Sequence, residues 1–244
     1  DSLDYVTGSE PSNGAVTSLG EINMSKKRTL NVDDAYALAT PADSIHLYGK
    51  WAESYDQDFA DAVSYIVYRH ASEALLQFRS EIDGVVLDVG CGTGLVGVCL
   101  HEGGIGSIDG IDISQPMLDE AAKKETSSGR PVYRKLIAAD LTKQLQIPDN
   151  EYAGLISAGT FTHGHLGVGP LDELWRIAAP GACCAIGVRT THFEQAGFVE
   201  KLSVDVAHGK ITQPELLEVN MYSTGTSNTE HANDKAFIVV CKVK

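Results

Sequence analysis

No stretch of this 244-residue chain is apolar over the length a membrane-spanning helix needs, so an α-helical membrane protein is excluded. Basic charge is scarce as well. The chain has 19 Lys and Arg against 33 Asp and Glu, and the resulting net charge of −14 opposes attraction to phosphate backbones and anionic lipid. Its densest basic stretch is the short SKKR, Ser25 to Arg28. Neither a nucleic acid nor a membrane is therefore expected as a partner. The five cysteines are an odd number without paired CxxC spacing, which argues against a disulfide framework or a zinc knuckle. Cys183 and Cys184 are neighbours, and on a strand they would point to opposite faces. The phosphate loop GxxxxGK[ST] is absent, so a nucleoside triphosphatase is not indicated. His101 in HEGG lacks the second histidine of a zinc-protease helix, and the HGH of His163 and His165 has no Cys or carboxylate partner at ligand spacing. No metal is expected.

What is present is a chain with 43% hydrophobic and 21% charged residues, enough for one globular unit with a substantial core. Residues 1–40 are rich in Ser, Gly, Asn and Thr with scattered apolar residues, and are expected to form a flexible arm. Residues 41–82 read as a helical cap. Pro41 and Asp43 are start signals, Ile45, Tyr48, Trp51, Ala52 and Tyr55 share one face, and a second helix is expected from Ala62 to about Phe78. Residues 83–244 read as the core. There, short apolar runs alternate with helical stretches: GVVLDVG, GSIDGIDIS, PVYRKLIAAD, YAGLISAG and ACCAIGVR as strands; LVGVCLHEG, QPMLDEAAKKE and PLDELWRIAA as helices. The second helix is expected to be capped by Ser114 and the third to end at Pro180 and Gly181. This alternation predicts an α/β fold with a doubly wound, mostly parallel sheet. The last two β-like runs, QPELLEVNMYSTG and KAFIVVCKVK, have no helix between them and should close one edge as an antiparallel pair.

In such sheets ligands sit beyond the carboxyl ends of the strands. The first strand-to-helix turn, VGCGTG, places Gly90, Gly92 and Gly94 there, where missing side chains let a ligand approach the backbone. Asp112 ends the second strand, where a carboxylate can accept ribose hydroxyls, and Asp140 ends the third, where it can accept from an adenine amine. Each feature alone is common in tight turns and helix caps. In this order they point to a ligand that carries adenosine.

LDVGCGTG, GIDISQPML and AAD resemble the class I S-adenosylmethionine-dependent methyltransferases, whose first motif has the form D-x-G-x-G-x-G. WAESYDQDF, YRHA, LDVGCGTGLVG and PGACCAIGVRT are similar, more narrowly, to the methyltransferase-like group of the Williams-Beuren syndrome region. The resemblance implies a seven-stranded Rossmann-like sheet and S-adenosylmethionine as cofactor, with S-adenosylhomocysteine as product. It places the glycine turn against the methionine part of the cofactor, Asp112 at the ribose and Asp140 at the adenine, and it counts Asp88, Cys91, Ile113, Met117, Leu141 and Ser157 among the cofactor-binding residues. Trp51 and Tyr55 would cover the cofactor from above.

Methyl transfer is an in-line displacement at carbon, so positioning and exclusion of water carry most of the catalysis. The acceptor should enter above the fourth and fifth strand ends. His163 and His165 are candidate bases there, and Arg189 could hold an acceptor carboxylate or form an intrachain pair. The acidic chain and the cap favour a small-molecule acceptor. Two other readings are an NAD-dependent oxidoreductase and a noncatalytic cofactor-binding protein with the same fold. The thiol content suits the cytoplasm; the chain begins at Asp1, which leaves open a targeting segment removed ahead of it. Oligomeric state is not encoded in these patterns.

Overall fold

The computed structural model describes residues 41–56, 64–223 and 231–244. The expected arm, residues 1–40, and the first residues of the second expected helix lie outside the described residues. Seven strands form one sheet: β1 (Val86–Val89), β2 (Ile108–Asp112), β3 (Lys135–Ala138), β4 (Tyr152–Phe161), β5 (Ala178–Arg189), β6 (Glu215–Asn220) and β7 (Lys235–Lys242). Their order is β3-β2-β1-β4-β5-β7-β6. Strands β1 to β5 are parallel, and β7 runs antiparallel to both β5 and β6. The order reverses between β1 and β4, which opens a crevice at the carboxyl ends of those two strands.

Successive residues of each central strand feed opposite faces, and both faces are apolar. Val86 of β1 packs in one hydrophobic layer and Leu87 in the other; Cys183 and Cys184 of β5 separate in the same way. Helix α1 (Pro41–Trp51) leads into a single 3-10 turn at Ala52–Ser54. The other helices are α2 (Val67–Leu76), α3 (Leu95–Glu102), α4 (Gln115–Ala121), α5 (Leu171–Ile177), α6 (Thr190–Gln195) and α7 (Phe198–Ala207). Helix α2 presents Val67, Ala71, Ala74 and Leu75 to the layer that holds Ile156 and Ala185, so it packs on the sheet itself. The part of the cap region that stands over the strand ends is residues 41–56. On its expected apolar face Trp51 and Ala52 are buried, whereas Ile45 is 45% exposed.

Three local expectations shift. Strand β5 starts at Ala178, and Pro180 and Gly181 lie within it rather than ending the preceding helix. The register slips between Ala178 and Cys183, and such an irregularity accommodates a proline that cannot donate to the ladder. Ser114 occupies the N-cap of α4 but makes no side-chain cap; its amide donates to Asp112 Oδ1 instead. Helices α6 and α7 follow β5 where the strand-helix reading assigned none. Phe198 and Leu202, four residues apart, are buried on α7, and Gly197 takes the left-handed conformation at its start. Among the described residues no helix is long and apolar enough to cross a membrane.

Candidate active site

The turn after β1 is held from three sides. The Gly90 and Cys91 amides both donate to the Ile111 carbonyl, at 2.8 and 3.0 Å, tying the turn to the end of β2. The Gly92 amide donates to Asp112 Oδ2 at 2.9 Å, while Asp112 Oδ1 accepts from the Ser114 amide at 2.8 Å. One carboxylate thus fixes the glycine turn and the start of α4 together. Burial raises the Asp112 pKa, with the Ser114 and Gly92 amides pulling it down. Behind the turn, Tyr133 donates to Asp88 Oδ2 at 2.6 Å and accepts from the Gly97 amide at 3.2 Å. Asp88 is fully buried and its Oδ1 has no hydrogen-bond partner. Burial pushes its pKa up to about 7, against the lowering effect of the Tyr133 bond.

Two glycines of the turn differ in what surrounds them. Gly90 has φ of +67°, and a Cβ there would come within 2.0 Å of Thr160 Oγ1. Gly92 has φ of +51°, yet a Cβ there would meet nothing within 4 Å. The first glycine is required by packing against β4. The second keeps a space open.

That space belongs to a cleft of about 1020 Å³, its open mouth included, a size comparable with the largest small-molecule sites. Gly90, Cys91, Gly92, Asp112, Ile113, Met117, Asp140 and Leu141 all line it, so the ends of β1, β2 and β3 converge as the sequence predicts. Asp140 accepts both the amide and the hydroxyl of Thr142 through Oδ1, at 2.8 and 2.7 Å. The Thr142 hydroxyl is the main cause of its lowered pKa. Its Oδ2 is left without a protein partner among the described residues. Asp88, Gly94, Ser157 and Trp51 stand behind the lining. Ser157 donates to the Val89 carbonyl at 2.7 Å, and Trp51 is 1% exposed beneath Tyr48 and Tyr55.

The cap closes over this cleft through aromatic rings. Tyr48 and Tyr55, seven residues apart, have ring centroids 6.0 Å apart, and Tyr55 packs edge-on to Trp51 at 5.2 Å. Both tyrosines line the cleft, with Tyr65 and Tyr68 alongside. Burial keeps the Tyr55 phenol protonated by raising its pKa well above the usual value. Asp56, next in the chain, accepts from Thr93 Oγ1 at 2.5 Å and pairs with Lys124, so the cap is bonded to the turn it covers. The sequence pattern marks Tyr48 by its helical face alone and gives no sign of Tyr65, Asp56 or Thr93. The i, i+7 spacing of Tyr48 and Tyr55 was a usable signal; no local pattern joins Asp56 to Thr93.

A second, smaller cavity adjoins the first and shares Tyr48, Tyr55, Tyr65, Gly159 and His165 with it. Its other walls include Val67, Phe161, Thr162, Arg189 and Met221. The two candidate histidines part company here. His165 lines both cavities and bonds Tyr48 at 3.0 Å through Nε2; His163 lines neither, and its Nε2 meets Thr191 Oγ1 at 3.2 Å. Burial lowers the pKa of each, helped at His163 by His192 and Arg189 and opposed at His165 by the His163 carbonyl. Arg189 lines the second cavity, but its guanidinium pairs with Asp234 at 2.7 Å.

Residues 86–181 match the family model described as a methyltransferase domain. The chain is 28% identical over 162 residues to methyltransferase-like protein 27 of Homo sapiens, a match that covers 64% of this chain and 62% of that relative. Among solved structures, a chain from the complex between the Haloferax volcanii Trm112 methyltransferase activator and its methyltransferase is similar at a TM-score of 0.57. It is 17% identical, with 81% of this chain and 98% of that one covered. A Methanococcus maripaludis protein described as an S-adenosyl-L-methionine-dependent methyltransferase follows at 0.56 and 16% identity, with 80% and 94% covered. These structural likenesses concern the fold. The chain thus carries a methyltransferase domain match over residues 86–181, and that segment contains the glycine turn, Asp112 and Asp140 of the cleft at the β1–β4 switch.

Proposed function

We propose that this chain transfers a methyl group from S-adenosylmethionine to a small-molecule acceptor held in the second cavity. The observation that carries this reading is the junction of the two cavities, walled by Tyr48, Tyr55, Tyr65, Gly159 and His165. On the cofactor side the residues fit the group. Gly92 leaves room beside the backbone, Asp112 retains acceptor capacity beyond its two backbone bonds, and Asp140 keeps Oδ2 for an exocyclic amine. The bound cofactor supplies a methyl group on a sulfonium, which is activated toward nucleophiles without help from the protein. The chain's own task is then to hold the acceptor in line and keep water away, and the Tyr48–Trp51–Tyr55 cover with its Asp56 bonds to Thr93 and Lys124 suits that task.

A small acceptor is favoured by the limited, largely apolar second cavity, and a net charge of −14 opposes RNA. His165, inside the junction, is the better placed of the two histidines to take a proton. Arg189 is a weaker candidate for an acceptor carboxylate, since Asp234 already neutralises it. The reduced thiols suit a reducing compartment such as the cytoplasm.

The test is incubation of the protein with methyl-labelled cofactor and a metabolite extract, with mass identification of the labelled product. A small labelled product is expected. Binding of a nicotinamide dinucleotide in place of S-adenosylhomocysteine would favour the oxidoreductase, and cofactor binding without turnover in any extract would favour a noncatalytic role.

A further inference from the structure

We infer that Tyr48 and His165 form a proton relay and that the acceptor is an uncharged aromatic hydroxyl compound of the phenol class; this rests on the methyl-transfer reading above. The contact itself fixes the direction of the relay. His165 Nδ1 faces the His163 carbonyl at 3.2 Å, and a carbonyl can only accept, so Nδ1 carries the ring hydrogen. Nε2 is then the basic nitrogen, and the Tyr48 hydroxyl, 3.0 Å away, donates to it. A hydroxyl that donates one bond can still accept another. Tyr48, which lines both cavities, thus has a base behind its hydroxyl. The groups around this pair are Tyr55 from the cap, His163 and His192 beyond β4 and β5, and Arg189 paired with Asp234.

The second cavity selects the class of acceptor. Tyr48, Tyr55, Tyr65 and Phe161 offer aromatic faces and edges to a flat ring, and Val67 and Met221 complete an apolar surround. An ionised carboxylic acid would need a cation not already neutralised. An acceptor already ionised would make the relay superfluous. A phenol is weakly acidic and reacts through its oxygen once the proton is withdrawn, which is the case a relay serves. Thr162, 7% exposed, also lines this cavity and has a hydroxyl oxygen without a hydrogen-bond partner, leaving one polar group to be satisfied there.

The step balances without a further reagent. The phenol oxygen forms its bond to the methyl carbon of the sulfonium donor as the bond from that carbon to sulfur breaks, and its electron pair stays on sulfur as a neutral thioether. The phenol proton passes to the Tyr48 oxygen, the Tyr48 proton passes to His165 Nε2, and the imidazolium returns it to water after the ether product leaves.

The experiment uses two probes, para-cresol and the far more acidic para-nitrophenol, with wild type, Tyr48→Phe and His165→Gln, each checked for folding by circular dichroism and for S-adenosylhomocysteine affinity. With para-cresol each variant should lose on the order of a hundredfold in kcat. With para-nitrophenol, which ionises unaided near neutral pH, each should stay within about threefold of wild type. The acid limb of the para-cresol profile should lie below the ordinary histidine range, as the lowered His165 pKa requires, and vanish in His165→Gln. Independently of turnover, ligand-observed NMR should show para-cresol bound to the wild-type complex with S-adenosylhomocysteine, and weakened by Thr162→Val. Equal losses on both phenols would overturn the relay. A wild type that methylates an extract component but neither binds nor methylates para-cresol would overturn the acceptor class and leave methyl transfer standing. Failure to bind S-adenosylhomocysteine would fall on the methyl-transfer reading itself.

Discussion

The two cavities that meet at Tyr48 and His165 are built in different ways. The cofactor side is made by strand ends that follow one another in the chain, β1 with its glycine turn, β2 with Asp112 and β3 with Asp140, and backbone amides do much of the holding. The second cavity, the proposed acceptor side, is made by side chains drawn from α1, α2, the loop after β4, the end of β5 and the segment before β7. Backbone geometry tolerates little substitution, whereas a wall of side chains can be recut residue by residue. Substitutions should therefore damage the first side through fold and cofactor affinity together, and the second through acceptor binding and turnover.

The largest contrast is expected within the glycine turn. Gly90→Ala must accommodate both a positive φ and a 2.0 Å approach to Thr160, at a cost of about 2–5 kcal/mol. Gly92→Ala meets open space and bears the backbone strain alone, about 1–2 kcal/mol. Urea unfolding should separate the two by that margin, and calorimetry should show S-adenosylhomocysteine affinity lost in folded Gly92→Ala. Wild-type affinity in that variant would remove Gly92 from the cofactor contact.

Asp112→Ala comes next. It strips an acceptor from the Gly92 and Ser114 amides as well as from the ligand, so both stability and affinity should fall. A charge-assisted bond of about 1.5–3 kcal/mol corresponds to a ten- to hundredfold loss of S-adenosylhomocysteine affinity. Loss of stability with affinity intact would confine Asp112 to bracing the turn.

Asp88 gives an effect of pH. Its pKa rises from 3.8 to about 7 on folding, so the native state binds its proton more tightly than the unfolded chain does. Stability from this site is fullest below the unfolded value and declines as pH rises toward 7, where the unfolded carboxyl ionises first. Asp88→Asn keeps an acceptor for Tyr133 and should flatten that decline in unfolding midpoints measured between pH 4 and pH 7. An unchanged slope would show that the buried carboxyl is not proton-linked to folding.

The smallest effect belongs to Arg189. Its pair with Asp234 is partly exposed, and Arg189→Gln should cost less than about 1 kcal/mol. The KM for an uncharged acceptor should change little. A steep rise confined to a carboxylate acceptor would restore Arg189 as an anion clamp.

The difference between the cavities also explains what could be read from the chain. Glycines at 90 and 92 and carboxylates at 112 and 140 sit at strand ends whose hydrophobic runs are visible locally, so strand alternation alone brings them together. The antiparallel closure by β6 and β7 was legible for the same reason, since no helical segment separates them. The Tyr48–His165 bond spans 117 residues and the Asp56–Thr93 bond 37, and no periodicity encodes contacts of that kind. Choosing His165 over His163 needed the loop geometry. Helices α6 and α7 follow β5 without a strand between them, and their sequence signal is confined to the apolar spacing of Phe198 and Leu202 on α7.

The most direct test of the central claim is calorimetric titration of the intact protein with S-adenosylhomocysteine and, separately, with oxidised nicotinamide dinucleotide. Saturable one-to-one binding of the first, weakened at least tenfold by Asp112→Ala, with no binding of the second, is the predicted result. Absence of S-adenosylhomocysteine binding by the folded protein, or preference for the dinucleotide, would contradict it.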